Sequence, residues 1–239
     1  MSSVEDRKPG RRARLRAQTT AEIKRIALEH MAEQGADAIS LRAIAREMDM
    51  SGSAIYSYFD TRDDLISTLI GDVYTALVEA VEAARDAVPE DDPGGRIVAW
   101  GEALRAWSLA NPQGFRLLYG DPVAGYRPPV EGPAPEAAGR ACLGLVGLVA
   151  AAWPSARTSQ EDPSARWSDF SEDLAAKVRE RHPDLPPAAV ALALRLWGRM
   201  HGPVALELHG HLGPQAHHPD RLYRLELLDL VRSLGLPGS

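Results

Sequence analysis

Apolar residues recur at spacings of three and four along most of the 239-residue chain, the period of a helix with one buried face. No stretch alternates apolar and polar positions for long enough to suggest a sheet, and no internal repeat is present. The pattern predicts an all-α protein. Thr19-Thr20-Ala21-Glu22 reads as a capping box opening a first helix, with Ile23, Ile26, Ala27 and Met31 on its apolar face. That helix is expected to stop at Gly35, which tolerates a left-handed position. Ser40 caps a second helix carrying Leu41, Ile44, Ala45 and Met48. Asp49-Met50 turns the chain, and Ser51 or Ser53 caps a third helix with Ile55, Tyr56 and Phe59. Thr61-Arg62-Asp63-Asp64 opens a fourth, through Leu65, Leu69, Val73 and Leu77 to about Ala87, with acidic residues at its positive end.

Pro89 to Gly95 breaks the pattern, after which helices are expected over 95–110, 112–119, 139–153, 169–181, 187–210 and 220–234. Gly120 to Gly139 and Pro154 to Ser168 read as loops. Three short helices within about 40 residues cannot bury an ordinary core alone, so the long fourth helix should tie them to a larger body. The expected organisation is a flexible basic arm over 1–18, a helix-turn-helix domain over 19–65 and a helical body over 66–239.

Composition narrows the class. With 45% hydrophobic and 25% charged residues, the chain is an ordinary globular protein rather than a disordered one. The one cysteine, Cys142, excludes an internal disulfide and lies in an apolar run, as a buried structural thiol would. The charged N-terminal stretch lacks the apolar segment of a secretion signal. The longest uncharged stretch, Ala141 to Ala156, has 16 residues and contains Pro154, so the expectation is no membrane span and a cytoplasmic protein. The net charge of −6 conceals an asymmetry: residues 1–25 hold eight Lys/Arg against three Asp/Glu, and residues 63–239 hold 16 against 24. A polyanion would therefore meet the N-terminal end.

A short helix, a tight turn and a second short helix led by small residues make the geometry of a helix-turn-helix, whose second helix enters the major groove. The residues carry a family resemblance as well. IKRIALEHMAEQGADAISLRAIAREMDMSGSAIYSYFDTRDDLI resembles the DNA-binding domain of the TetR/AcrR family of transcriptional regulators. The matching points are the Ile-x-x-Ala-Leu run, Gly35, the Ser40/Leu41/Ile44/Ala45 pattern, and Ile55-Tyr56-x-x-Phe59 followed by Asp63-Asp64-Leu65. Asp49 stands where the family usually has Gly, Met50 where it has an apolar β-branched residue, and Arg62 replaces a frequent Lys. Trp197, His201 and Gly202, with ANPQGFRLLYGDPVAGY before them, resemble the Trp-His-Gly type of C-terminal domain. The resemblance implies an all-helical homodimer with an N-terminal reading head and a C-terminal ligand-binding and dimerisation body.

Carried over residue by residue, Arg42, Ser51, Ser53, Ser57 and Tyr58 are the expected groove contacts, and Tyr56 and Arg62 the expected phosphate contacts. Serine discriminates poorly among bases, whereas Arg42 can bond a guanine bidentately. Ser51 serves equally well as a helix cap. Arg7, Lys8, Arg11, Arg12, Arg14 and Arg16 form a basic arm suited to phosphates or to an adjacent minor groove.

The helix at 187–210 carries only Arg195, Arg199 and Glu207 as charges, a profile that demands burial on more than one side. A two-fold interface formed with the helix at 220–234 would supply the second burial. Trp100, Leu104, Trp107, Phe115 and Tyr119, with Trp197 and His201, are the expected contacts of a small, largely apolar effector, although core packing serves each of them as well. His201, His209, His211, His217 and His218 lack the Cys or carboxylate company of a metal site, so no metal and no cofactor is expected, and His201 is expected to pack beside Trp197. The rival from another class, a small helical enzyme with a site around His201, Arg116 and Asp121, lacks nucleophile-and-base spacing, paired carboxylates or a phosphate loop. The favoured reading is a ligand-responsive regulator, repressing by resemblance, that binds a near-palindromic operator as a homodimer.

Overall fold

The computed structural model describes residues 10–237, and among them every regular element is helical. In chain order these are α1 (Arg11–Gln34), α2 (Leu41–Glu47), α3 (Gly52–Ile55), α4 (Arg62–Asp86), α5 (Pro93–Ala110), α6 (Pro112–Tyr119), α7 (Pro135–Gln160), α8 (Glu172–Arg181), α9 (Pro187–Leu208) and α10 (Pro219–Ser233). Short 3-10 turns at Ala36–Ala38 and Trp167–Asp169 precede α2 and α8.

Several caps form as the sequence predicts. The Ser40 hydroxyl accepts from Ala43 N–H at 3.5 Å, and that of Ser51 from Ala54 N–H at 3.2 Å. Thr61 and Asp64 cap α4 reciprocally, Asp64 N–H donating to Thr61 Oγ1 at 3.1 Å and Thr61 N–H to Asp64 Oδ2 at 2.9 Å. Gly35 ends α1 at φ 87° and ψ 169°, a conformation only glycine adopts readily.

The start of α1 corrects the sequence reading. No capping box forms at Thr19, and the stretch expected as a flexible arm is helical from Arg11 onward. Arg, Ala, Leu and Gln in RRARLRAQ are strong helix formers. Thr19 and Thr20 lie inside the helix, where their hydroxyls donate to Leu15 O at 3.0 Å and Arg16 O at 2.9 Å.

A second correction concerns α7. Pro154 does not end it; the helix continues to Gln160. Proline removes one backbone donor at a cost of about 3 kcal/mol. Ala152 and Ala156, two residues to either side, are fully buried, and the packing of this helical face outweighs the lost bond. With this length α7 is long and apolar enough for a membrane span by size and hydropathy, a condition that the core helix of a globular protein also meets. Gly144, Leu145, Val146, Leu148 and Val149 of the same helix are nonetheless buried in a protein core.

The chain divides into two compact units. Residues up to Asp72 and Gln113–Pro133 form the first; Val73–Pro112 and the residues from Ala134 form the second. In the first, Ile23, Ile26, Ala27 and Met31 of α1 are buried with Ile39, Leu41, Ile44, Ile55, Phe59, Leu65 and Ile66. Full burial of each large aliphatic side chain contributes about 1.5–3 kcal/mol.

In the second unit α7 packs on α9 and α5, and α10 packs on α5 and α9. Glycine permits two of these approaches. A Cβ at Gly101 would lie 2.5 Å from Leu227 Cδ2, and one at Gly144 would lie 2.5 Å from Trp100 Cη2. The Tyr223 hydroxyl donates to Gly101 O at 2.9 Å, and burial raises its pKa well above the usual range. Arg105 grips Glu207 with two bonds of 2.8 and 2.6 Å, and Arg199 joins α9 to Glu226 at 2.6 Å and Asp229 at 3.2 Å. Cys142, expected to be buried, is half-buried, and desolvation raises its thiol pKa.

Candidate nucleic-acid interface

The first unit presents α3 between α2 and α4. The turn between α2 and α3 requires a left-handed residue, and Asp49 supplies it at φ 53°. Aspartate is among the few residues besides glycine that adopt this conformation readily, which is why Asp can stand where Gly is usual. Ile55 is buried beneath α3, whereas Ser51, Gly52, Ser53, Tyr56 and Ser57 are exposed. The α-helical part of the reading element is only four residues long, and Tyr56 to Phe59 continue as tight turns.

Arg42, on the first turn of α2, is exposed and makes no hydrogen bond or ion pair among the described residues. Ser51 Oγ caps α3 and lies 3.2 Å from Ser53 Oγ. Ser57 Oγ donates to Ala54 O at 2.8 Å. Tyr56 is 44% exposed and projects from the reading element. Tyr58 is half-buried, with the Arg16 guanidinium 4.9 Å from its ring centre.

Arg16 does more than lie over that ring. Its Nη2 donates to Ser57 O at 2.6 Å, fastening α1 to the end of the reading element. Arg12 lies one turn earlier on the same helical face, and Arg11 and Arg14 are also exposed. The basic cluster is thus a rigid helical extension through these four arginines; Arg7 and Lys8 lie outside the described residues.

Arg62, expected at a phosphate, is bonded to two carbonyls of the protein. Its Nε donates to Ile39 O at 2.8 Å and its Nη1 to Ala124 O at 3.2 Å, so the guanidinium is engaged within the unit. Sequence reasoning missed its partners. Ile39 and Ala124 lie 23 and 62 residues from Arg62, and the companion bonds of Ser67 to Tyr126 and of Ala124 to Asp37 span 59 and 87.

Two segments of this chain match known family models. Residues 25–69 match the bacterial regulatory proteins of the tetR family, and residues 97–230, over half the chain, match the tetracyclin repressor-like C-terminal domain. The chain belongs to the TetR family. Relatives match it over most of its length. The HTH-type transcriptional regulator Rv1816 of Mycobacterium tuberculosis is 32% identical over 209 residues, covering 85% of this chain and 86% of its own, and Mb1846 of Mycobacterium bovis matches equally. The crystal structure described as that of a regulatory protein, SCO4313, shares 34% identity over 94% of this chain and 100% of its own, with a TM-score of 0.73. A Rhodococcus sp. RHA1 protein of unknown function shares the fold alone, at 19% identity, 97% and 99% coverage and a TM-score of 0.65. This TetR-family chain is therefore a DNA-binding transcriptional regulator, and its relatives point away from an enzyme.

The residues expected to meet an effector separate between the units. Trp100 and Leu104 are buried in the second, where Trp100 packs over Gly144 with the Arg85 guanidinium 5.6 Å from its ring. Trp107 is half-buried there, and Trp197 and His201 stack with ring centres 5.7 Å apart, the packing expected of that pair. Phe115 and Tyr119 belong to the first unit and lie 5.1 Å apart. Two cavities of about 340 and 250 Å³ open within the second unit. Val88, Val98, Glu102 and Arg224 help line the larger, and Trp153, Arg157 and Pro187 the smaller, so the expected effector residues line neither. Among the described residues no cluster of three His, Cys, Asp or Glu is placed to hold a metal.

Proposed function

We propose that the chain is a cytoplasmic, ligand-responsive repressor that binds a near-palindromic operator as a homodimer. The observation that carries this reading is the first unit's surface: exposed Arg42 and Tyr56 beside a small-residue reading element, with Arg11, Arg12 and Arg14 on the helix that Arg16 fastens to it. Small leading residues let the reading element lie close in the groove. Arg42 supplies base selectivity, and the arginines of α1 and Tyr56 supply phosphate contacts.

Support for the dimer comes from α9 and α10. Leu194 and Trp197 are one turn apart on α9, as are Leu222 and Leu225 on α10, and all four are at least 39% exposed in the single chain. A second copy burying this stripe by two-fold symmetry would place two reading heads on half-sites about 34–36 Å apart, or multiples of that. The effector is a small, largely apolar molecule held in the second unit, with Trp107 and His201 its proposed contacts. It acts by binding DNA-competent and incompetent dimers unequally. Helix α4, whose first turns belong to the head and whose remainder belongs to the body, is the proposed carrier of that difference.

The test is recovery of genomic DNA fragments on the purified chain at physiological salt, followed by footprinting. The expected result is a footprint with two symmetric half-sites and a dimeric mass in sedimentation, lost in Trp197→Glu/Leu225→Glu. Retention of no fragment, or a monomer bound to a single half-site, would overturn the proposal.

A further inference from the structure

The loop between α6 and α7 is far from the helix-turn-helix in sequence yet belongs to the same compact unit. Four of its groups are bonded to the head. Ala124 N–H donates to Asp37 Oδ1 at 2.8 Å, and Ala124 O accepts from Arg62 Nη1 at 3.2 Å. The hydroxyls of Tyr126 and Ser67 are 2.9 Å apart, and Arg127 N–H donates to Asp63 Oδ2 at 3.3 Å. Gly125, at φ 71°, turns the chain between Ala124 and Tyr126 so that both reach the head, and Val123 is buried beside them.

These bonds converge on two places. Asp37 and Ile39 form the approach to α2, which carries Arg42; Arg62, Asp63 and Ser67 form the first turns of α4. Helix α3 lies between the two and has only four residues, too few to be stable or to hold an orientation unaided. Its direction depends on the helices on either side of it.

We propose that Val123–Arg127 is a structural member of the reading head, a strap that holds the start of α2 to the start of α4. Asp37, Arg62 and Tyr126 are then positioning residues for DNA recognition, acting through the orientation of α3 and Arg42. The proposal rests on the DNA-binding reading above.

Asp37 separates this role from simple electrostatics. It is an exposed acid on a domain that meets a polyanion, so removing its charge should by itself strengthen DNA binding. A strap predicts the opposite sign. Asp37→Ala loses the acceptor for Ala124 N–H, whereas Asp37→Asn loses the charge and keeps a side-chain oxygen that accepts.

The experiment uses the full chain and a duplex selected by the wild-type protein from a random-sequence pool, with affinity read by fluorescence anisotropy at one salt concentration. Asp37→Ala is expected to bind about 3- to 10-fold more weakly, the worth of one hydrogen bond. Asp37→Asn is expected to match or exceed the wild type, and Tyr126→Phe, which changes no charge at neutral pH, to weaken binding as Asp37→Ala does. Circular dichroism checks that each variant folds. Should Asp37→Ala lose its helical signal, Tyr126→Phe decides alone: weaker binding supports the strap, and unchanged binding overturns it. Equal or tighter binding by Asp37→Ala, or equal weakening by Asp37→Ala and Asp37→Asn, also overturns it. A wild-type chain that selects no duplex overturns the DNA-binding reading itself, and the strap with it.

Discussion

The Arg16 guanidinium donates to the carbonyl oxygen of Ser57 at 2.6 Å across 41 residues of sequence. One charged side chain thus joins the basic end of α1 to the end of the reading element, with the Tyr58 ring against its face. A basic tail would attract DNA without regard to orientation, whereas this contact gives four arginines a fixed direction relative to α3.

Arg16 and Arg12 should therefore fail differently. Arg16→Gln is expected to lower both operator affinity and the thermal stability of the head. Arg12→Gln should leave stability unchanged and reduce the slope of log affinity against log salt by about 0.9, one phosphate contact. Binding isotherms between low and moderate salt, with thermal melts beside them, distinguish the two. Identical stability losses would remove the distinction.

Arg42 is exposed on the first turn of α2 with no partner among the described residues, the condition for a side chain reserved for DNA. Arg42→Ala is expected to cost about 1–3 kcal/mol of discrimination at one base pair per half-site. A panel of duplexes, each changed at a single position, would show one position becoming indifferent. A uniform loss at every position would assign Arg42 to the phosphates instead.

The left-handed Asp49 permits a prediction about stability alone. Asp49→Val places a β-branched side chain at φ 53° and should lower unfolding stability by about 1–2 kcal/mol. Asp49→Gly relieves the backbone and should equal or exceed the wild type. Denaturant titration measures both, and a harmless valine would contradict the assigned turn geometry.

Acid should loosen the second unit. His201 has its pKa lowered first by burial and then by nearby His209, and His182 by burial and then by Arg181. A histidine that resists protonation when folded binds more protons unfolded, so stability rises with pH across that window. The stability is complete above the ordinary histidine value of about 6.5 and falls as pH drops through the lowered folded values. Melts between pH 7.5 and 5, at about 0.5-unit steps, should show this decline, and His201→Gln should flatten it. An unchanged slope in that variant would assign the effect elsewhere.

Much of the head was legible because its signals are local. The spacing of Leu41, Ile44 and Ala45, the caps at Ser40, Ser51 and Thr61, and the stop at Gly35 each involve residues within a turn of one another. The start of α9 was equally plain, since Pro187 occupies a first turn where no backbone donor is needed; Pro93 and Pro219 open α5 and α10 in the same way, although Pro93 reads in the sequence as part of a break. Two local signals misled. Thr19 and Glu22 have the spacing of a capping box, but a hydroxyl inside a helix can return its hydrogen bond to the preceding turn. Pro154 has the character of a breaker, but the helix around it is held by burial of its neighbours.

By itself, then, the sequence determined an all-helical chain with an N-terminal reading motif, because helix period, capping and turn chemistry act over three to seven residues. Only the tertiary structure decided what the charged and aromatic side chains do. It set Arg16 against Ser57, turned Arg62 inward to two carbonyls, laid Trp100 over Gly144 and brought Ala124 to Asp37. Those pairings join residues 23 to 87 apart, and nothing local in either partner specifies the other; packing of the helices between them does.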